Sequence, residues 1–326
     1  MYEYYRLRQL RKAYSAQGWT LLIYYGIMNL AVMIFMFADA FMAGFMMAAG
    51  KEMDMDQMVN DMISNSGWGY FVAMGVGLLI LLFWKKPKFF ADPMWKQGRP
   101  MKVGSFLAIL AIFTSVQLGA QLLYMGLEFL FNLGGLSISQ SMESAGGSMD
   151  SLSMFLYVGL GAPISEELLF RGLVLRSVEP YGKKFAIFAS AILFGIYHGN
   201  VIQIPFAFMV GLVLGYVTVE YNIGWAIVLH MFNNLLLSDT MTRLLANLPQ
   251  PWPDLWFWIV IIGCAVLALI ILVVKRQQIK AWLHQYQNDP LCTKAFWSAP
   301  GIITLLAILG AMTLFSTWMM ITPITS

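Results

Sequence analysis

Long apolar runs separated by short charged stretches organise the whole chain. A helix crossing the hydrocarbon of a bilayer needs about 20 mostly apolar residues, and runs near that length cover residues 19–49, 68–84, 103–131, 152–175, 185–198, 202–219, 223–237, 255–274 and 301–321. The run at 185–198 is short, so the expected number of crossings is eight or nine. The pattern predicts an all-α fold, a polytopic membrane bundle of eight or nine transmembrane helices. Composition agrees: 59% of the 326 residues are hydrophobic and only 11% charged, too apolar a balance for a water-soluble domain. No repeat with a period of roughly 20 to 50 residues is visible, so 1–326 reads as a single membrane domain.

Charge divides the loops into two sets. Stretches 6–12, 85–102, 176–184 and 275–294 are basic, whereas 51–61 and 143–150 are mainly acidic. The positive-inside tendency puts the basic set and the N-terminus in the cytoplasm, and nine crossings then put the C-terminus outside. Arg171 aside, only Lys51 and Arg243 fall on the outer side. A bacterial inner membrane is the expected location, although an organelle membrane fits the same pattern. Residues 1–17 carry Tyr4, Tyr5, Leu7 and Leu10 among Arg6, Arg8, Arg11 and Lys12, which reads as a cytoplasmic interfacial helix in contact with membrane lipids. They lack the short apolar core and small-residue cleavage site of a removable signal peptide. A net charge of +3 without interleaved aromatics gives no nucleic-acid groove, so no nucleic-acid partner is expected. Cys264 lies in an apolar run and Cys292 in a basic loop, which predicts neither a disulfide nor a cysteine metal site. The most loop-like stretches are 134–150, rich in Gly and Ser, and 247–254, with Pro251 and Pro253.

Polar residues inside the apolar runs change this picture from architecture to chemistry. An ionised group at the centre of a bilayer costs roughly 2.5–3.5 kcal/mol on insertion scales, so such residues are by default functional. They are Asp39, Gln117, Gln121, Glu128, Glu166, Glu167, Arg171, His198, Asn200, Gln203, His230, Asn233 and Asn234, and most fall between positions 166 and 234. Glu167 and Arg171 are one helical turn apart and can pair, while Glu166 is turned about 100° away. Pro163 is expected to kink the helix and free carbonyls beside the glutamates. His198 follows Phe194 by one turn, and Asn234 follows His230 by one turn. The third histidine, His284, sits in a loop without a partner pattern. Taken singly, each group also fits a structural role: a locking ion pair, a packed histidine, an interhelical hydrogen-bond pair. Together they supply a carboxylate, two imidazoles and an amide from three apolar segments. That set suits hydrolysis, with a glutamate as base, a histidine holding water and N–H groups stabilising an oxyanion.

The order Glu166-Glu167-x-x-x-Arg171, then Phe194-x-x-x-His198, then His230-x-x-x-Asn234 resembles the CPBP family of intramembrane proteases, which includes the CAAX prenyl endopeptidases and many bacterial members. The likeness covers residues 152–238, the expected catalytic core. It implies an active-site cavity within the membrane. It also implies that Glu166 and His198 activate water, that His230 and Asn234 stabilise the oxyanion, and that Glu167, Arg171 and Phe194 support them. The substrate it implies is a lipid-anchored or membrane-embedded peptide or protein, and no cofactor is expected.

Other readings stay open at this level. Glu166, His198 and His230 form an acceptable zinc set with water as the fourth ligand, although the His-Glu-x-x-His helix that makes such assignments strong is missing. Asp39, Glu128, Glu166 and His198 can be read as the relay of a proton-coupled transporter, but no second copy of the acidic motif suggests the internal repeat common in transporters. A non-catalytic membrane scaffold is the remaining alternative.

Overall fold

The computed structural model describes residues 1–50, 55–85, 95–146, 151–235, 248–249, 251–286 and 288–324. Lys51, Arg243 and residues 236–238 of the expected core lie outside the described residues. The fold is all-α: α1 (Tyr2–Ala48), α2 (Met55–Lys85), α3 (Val103–Asn132), the short α4 (Ser139–Gly146), α5 (Leu152–Tyr181), α6 (Lys183–Tyr197), α7 (Gln203–Glu220), α8 (Ile223–Phe232), α9 (Trp252–Val274), α10 (Arg276–Gln285), α11 (Pro290–Trp297) and α12 (Pro300–Met320). Six of them, α1, α3, α5, α7, α9 and α12, are long and apolar enough to cross a membrane. The other runs expected to cross fold as shorter apolar helices, Gly67–Phe83 within α2, Ile223–Leu235 and the 15-residue α6.

Two regions differ from what the pattern predicts. Residues 1–17 are continuous with the first apolar run, because nothing before Gly18 breaks a helix; α1 is 47 residues long, about 70 Å at 1.5 Å per residue. The Gly- and Ser-rich stretch 134–150 is partly ordered. Glu128 accepts hydrogen bonds from Ser137 Oγ (2.7 Å) and the Ile138 amide (2.9 Å), and β1 (Leu136–Ser137) pairs antiparallel with β2 (Thr322–Pro323). A carboxylate borrowed from the end of α3 supplies the order that the local sequence lacks.

The loops gather at two ends of the bundle. At one end Arg6 pairs with Asp289 (2.6 Å), the Gly98 amide donates to Tyr221 O, and the Asp289 amide donates to Tyr181 O. Arg6 and the stretches 95–102, 176–184 and 275–294 thus meet at that end, which is the basic one. At the other end Asn200 donates to Ser141 O (2.8 Å) and Ser316 to Gly199 O (3.0 Å), beside the β1–β2 pair. The centre belongs to α5 and α7, each 44% buried over its most apolar window, against 11% for α1 and α9. Leu169, Phe170, Val174, Leu193, Phe194, Val210 and Leu214 fill the core. Lipid tails are as apolar as leucine, so close fit and polar contacts, not removal from water, hold such helices together. Gly211 shows the fit: a Cβ there would come to 3.0 Å from the Ala191 backbone, so a larger residue would push α6 and α7 apart by a few tenths of an ångström.

Candidate active site

The glutamates sit on α5, where the helix is least regular. Wide π-helical turns at Tyr157–Gly161 and Leu168–Leu175 flank a short α-helical stretch, Ala162–Glu167, with Pro163 in its first turn. Pro163 has no amide hydrogen to give, and the wide turns absorb the mismatch without breaking the helix. Such turns shift side chains out of the 3.6-residue register and recur at functional sites.

Within that stretch the two neighbouring glutamates take different environments. Glu167 is fully buried, and its Oε1 accepts from Arg171 Nη1 (2.6 Å) and from His230 Nδ1 (2.9 Å). Arg171 is equally buried; its Nη2 reaches Gly211 O (3.4 Å) and its guanidinium lies over the Phe194 ring, 4.3 Å from the centroid. Because His230 Nδ1 donates to a carboxylate, the opposite nitrogen is turned outward, and His230 Nε2 lies 3.7 Å from Glu166 Oε2. The Glu166 side chain retains 24% of its exposure, which leaves it the open member of the pair.

His198 stands at the C-terminal end of α6, which stops there because Gly199 adopts a positive φ of 64°. Its Nδ1 is 2.8 Å from Phe194 O. A carbonyl only accepts, so Nδ1 carries the hydrogen and Nε2 keeps a lone pair. The Phe194 ring stands perpendicular to both imidazoles, with centroids 4.8 Å from His198 and 5.6 Å from His230. Phe194 is therefore the hub that spaces the guanidinium and the two histidines. Glu166, Glu167, Arg171, Phe194, His198 and His230 come together from α5, α6 and α8.

Asn234 is nearby but engaged elsewhere. Its Nδ2 donates to Val158 O (2.8 Å), a carbonyl in the first wide turn of α5, and its Oδ1 accepts from Asn233 Nδ2 (3.0 Å). Gln117 on α3 extends the chain by donating to Asn233 Oδ1 (3.1 Å). Asn200 belongs to the architecture: its Oδ1 accepts from the Ile202 and Gln203 amides at the start of α7. Glu128 holds the 137–138 turn through its bonds from Ser137 Oγ and the Ile138 amide. Among the described residues, no group of three or more His, Cys, Asp or Glu side chains is gathered closely enough to hold a metal ion, so Glu166, His198 and His230 do not form a ligand set in this arrangement.

Sequence reasoning missed three residues here. Tyr24, Tyr157 and Tyr197 are near enough to Glu166 to interact with its charge. Inside apolar runs a tyrosine passes for a packing residue, and its only signal is a hydroxyl that needs a polar neighbour.

No curated protein and no solved structure matches the chain. Residues 148–236 match the family model for type II CAAX prenyl endopeptidase Rce1-like proteins. That segment holds every carboxylate, imidazole and amide from Glu166 to Asn234, and through it the chain carries a domain of the Rce1-like CAAX endopeptidase family.

Proposed function

We propose that this chain is an intramembrane endopeptidase that hydrolyses a peptide bond in a lipid-anchored or membrane-embedded protein or peptide, with Glu166 as the base. The observation that carries this reading is the division of labour in the glutamate pair. Glu167 spends its carboxylate on Arg171 and His230, while Glu166 remains partly open and faces His230 Nε2. Glu166 takes a proton from water that the His198 Nε2 lone pair helps to hold, and the water oxygen bonds to the scissile carbonyl carbon. His230, with both ring nitrogens protonated between the two glutamates, gives its Nδ1 hydrogen to Glu167 and its Nε2 hydrogen to the oxyanion, joined by the Asn234 amide once it turns from Val158 O. Collapse of the tetrahedral intermediate breaks the C–N bond, and Glu166 returns its proton to the leaving amine. The bundle crosses the membrane eight or nine times with its basic end in the cytoplasm.

The test uses the full chain in lipid nanodiscs with quenched fluorescent peptides, one prenylated at a cysteine and one transmembrane. Wild type is expected to cleave at least one of them and Glu166→Gln to lose cleavage while keeping the melting temperature. Equal turnover by Glu166→Gln would remove the proposed base.

A further inference from the structure

A second site lies at the basic end of the bundle, on a face that the proteolytic reading does not use. Near its N-terminus α1 crosses the start of α12 at very short range. Gly18 and Gly301 face one another so closely that a Cβ on either would collide with the other helix's backbone, and Ser15 Oγ accepts from the Gly301 amide (2.9 Å). This crossing leaves a cavity of about 420 Å³ beside it, within the ~300–1,000 Å³ usual for small-molecule sites. Its floor is apolar, from Ala16, Trp19 and Pro300, and its rim is cationic, from Arg8, Arg11 and Lys12.

Among the described residues the rim charges have no acidic partners. The neighbouring Arg6 is committed to Asp289, and Arg11 Nε donates to the Ser298 carbonyl. Among the described residues no ion pair involves Arg8, Arg11 or Lys12, and the cavity lining contains no Asp or Glu. Three cations that share a concave surface repel one another unless an anion joins them. The two chemistries are also layered along the helix. Arg11 precedes Trp19 by two turns, about 12 Å at 1.5 Å per residue, with Trp19 half-exposed at 41% as an interfacial anchor. Below the floor the same faces continue as exposed Ile23 and Ile303, four residues after Trp19 and three after Pro300.

We infer that this cavity binds one anionic phospholipid, its phosphate held by Arg8, Arg11 and Lys12 and its glycerol and acyl chain laid over Ala16, Trp19 and Pro300. A phosphate alone would satisfy the rim and leave the apolar floor unused; a neutral lipid would do the reverse. Only a molecule carrying both parts matches the layering.

The experiment is native mass spectrometry of the full chain released from nanodiscs of phosphatidylcholine containing phosphatidylglycerol as the probe. Wild type is expected to retain one phosphatidylglycerol. Arg8→Gln with Lys12→Gln is expected to weaken retention about 30-fold, from roughly one kcal/mol per surface cation. Ala16→Trp keeps every charge and fills the cavity, and is expected to abolish retention. Arg276→Gln with Lys280→Gln removes the same charge from the exposed α10 and is expected to change nothing. Equal loss in the α10 pair, or full retention in Ala16→Trp, would reduce the effect to general charge attraction and overturn the site. Displacement of the lipid by millimolar inorganic phosphate would overturn the lipid and leave an anion site only.

Discussion

Helix α5 carries two buried arginine–glutamate pairs little more than a turn apart, and they do different work. Glu167–Arg171 is fully buried at 2.6 Å, and Arg176–Glu179 is nearly so at 2.7 Å. Arg176 turns Nη2 to backbone, donating to Thr218 O (2.9 Å) at the end of α7 and to Lys96 O (3.2 Å) in the loop before α3. It ties three segments together, and nothing reactive is left over. Arg171 instead shares its glutamate with an imidazole, and that imidazole faces a second carboxylate that is open. Burial of charge is common to both pairs; what separates them is that the contacts of Arg176–Glu179 run out to backbone carbonyls and the exposed Lys96, whereas those of Glu167–Arg171 run to an imidazole that faces an open carboxylate.

Six variants, four single and two double, break or sharpen that comparison. The largest effect is expected from Glu166→Gln, which should lower turnover by about 10²–10⁴ with an unchanged melting temperature, measured by peptide cleavage beside thermal denaturation. Next come the single breaks. Arg171→Met strands a buried carboxylate and should cost about 3–5 kcal/mol in denaturant unfolding, whereas Arg176→Met should cost roughly 1–3 kcal/mol because Glu179 keeps Lys96 at 3.3 Å. Replacing both partners should recover most of the stability at either pair, since apolar residues of similar volume often replace a buried ion pair without loss. Glu167→Leu with Arg171→Met should nevertheless stay inactive, while Glu179→Leu with Arg176→Met should cleave at the wild-type rate. If the two double variants cleave equally, the pairs are equivalent and the contrast fails. Lys96→Ala should do least, under about 1 kcal/mol, because Lys96 is 60% exposed.

The sequence could separate these pairs only in part. Glu167 and Arg171 stand out because they interrupt an apolar run, whereas Arg176 and Glu179 fall where loop charges are expected and look solvated. The i, i+4 pairing of Glu167 with Arg171 was legible from α-helical periodicity, whereas spacing alone could not say which of Glu166 and Glu167 stays open. The acceptor of Asn234 was not legible, because Val158 O is offered by a wide turn that a 3.6-residue period does not describe. The same limit hid the ordering of 136–146, which depends on Glu128 at the end of another helix, and the approach of Tyr24 from α1. Helices follow from local pattern; partners reached across the bundle do not.

The contacts of α1 with α11 and α12 set an order of assembly. Arg6 meets Asp289, Tyr14 Oη lies 2.5 Å from Cys292 Sγ, and Ser15 meets Gly301, so this face of α1, unlike the face packed on α2, finds its partners only in residues made much later. Until residues 289–301 have been made, the small-residue face of α1 at Gly18 stays bare in the bilayer. The bundle closes like a ring whose clasp is fitted at the end, and a ribosome stalled before Pro290 would hold a chain whose α5–α8 centre can pack while its outer seam is still open.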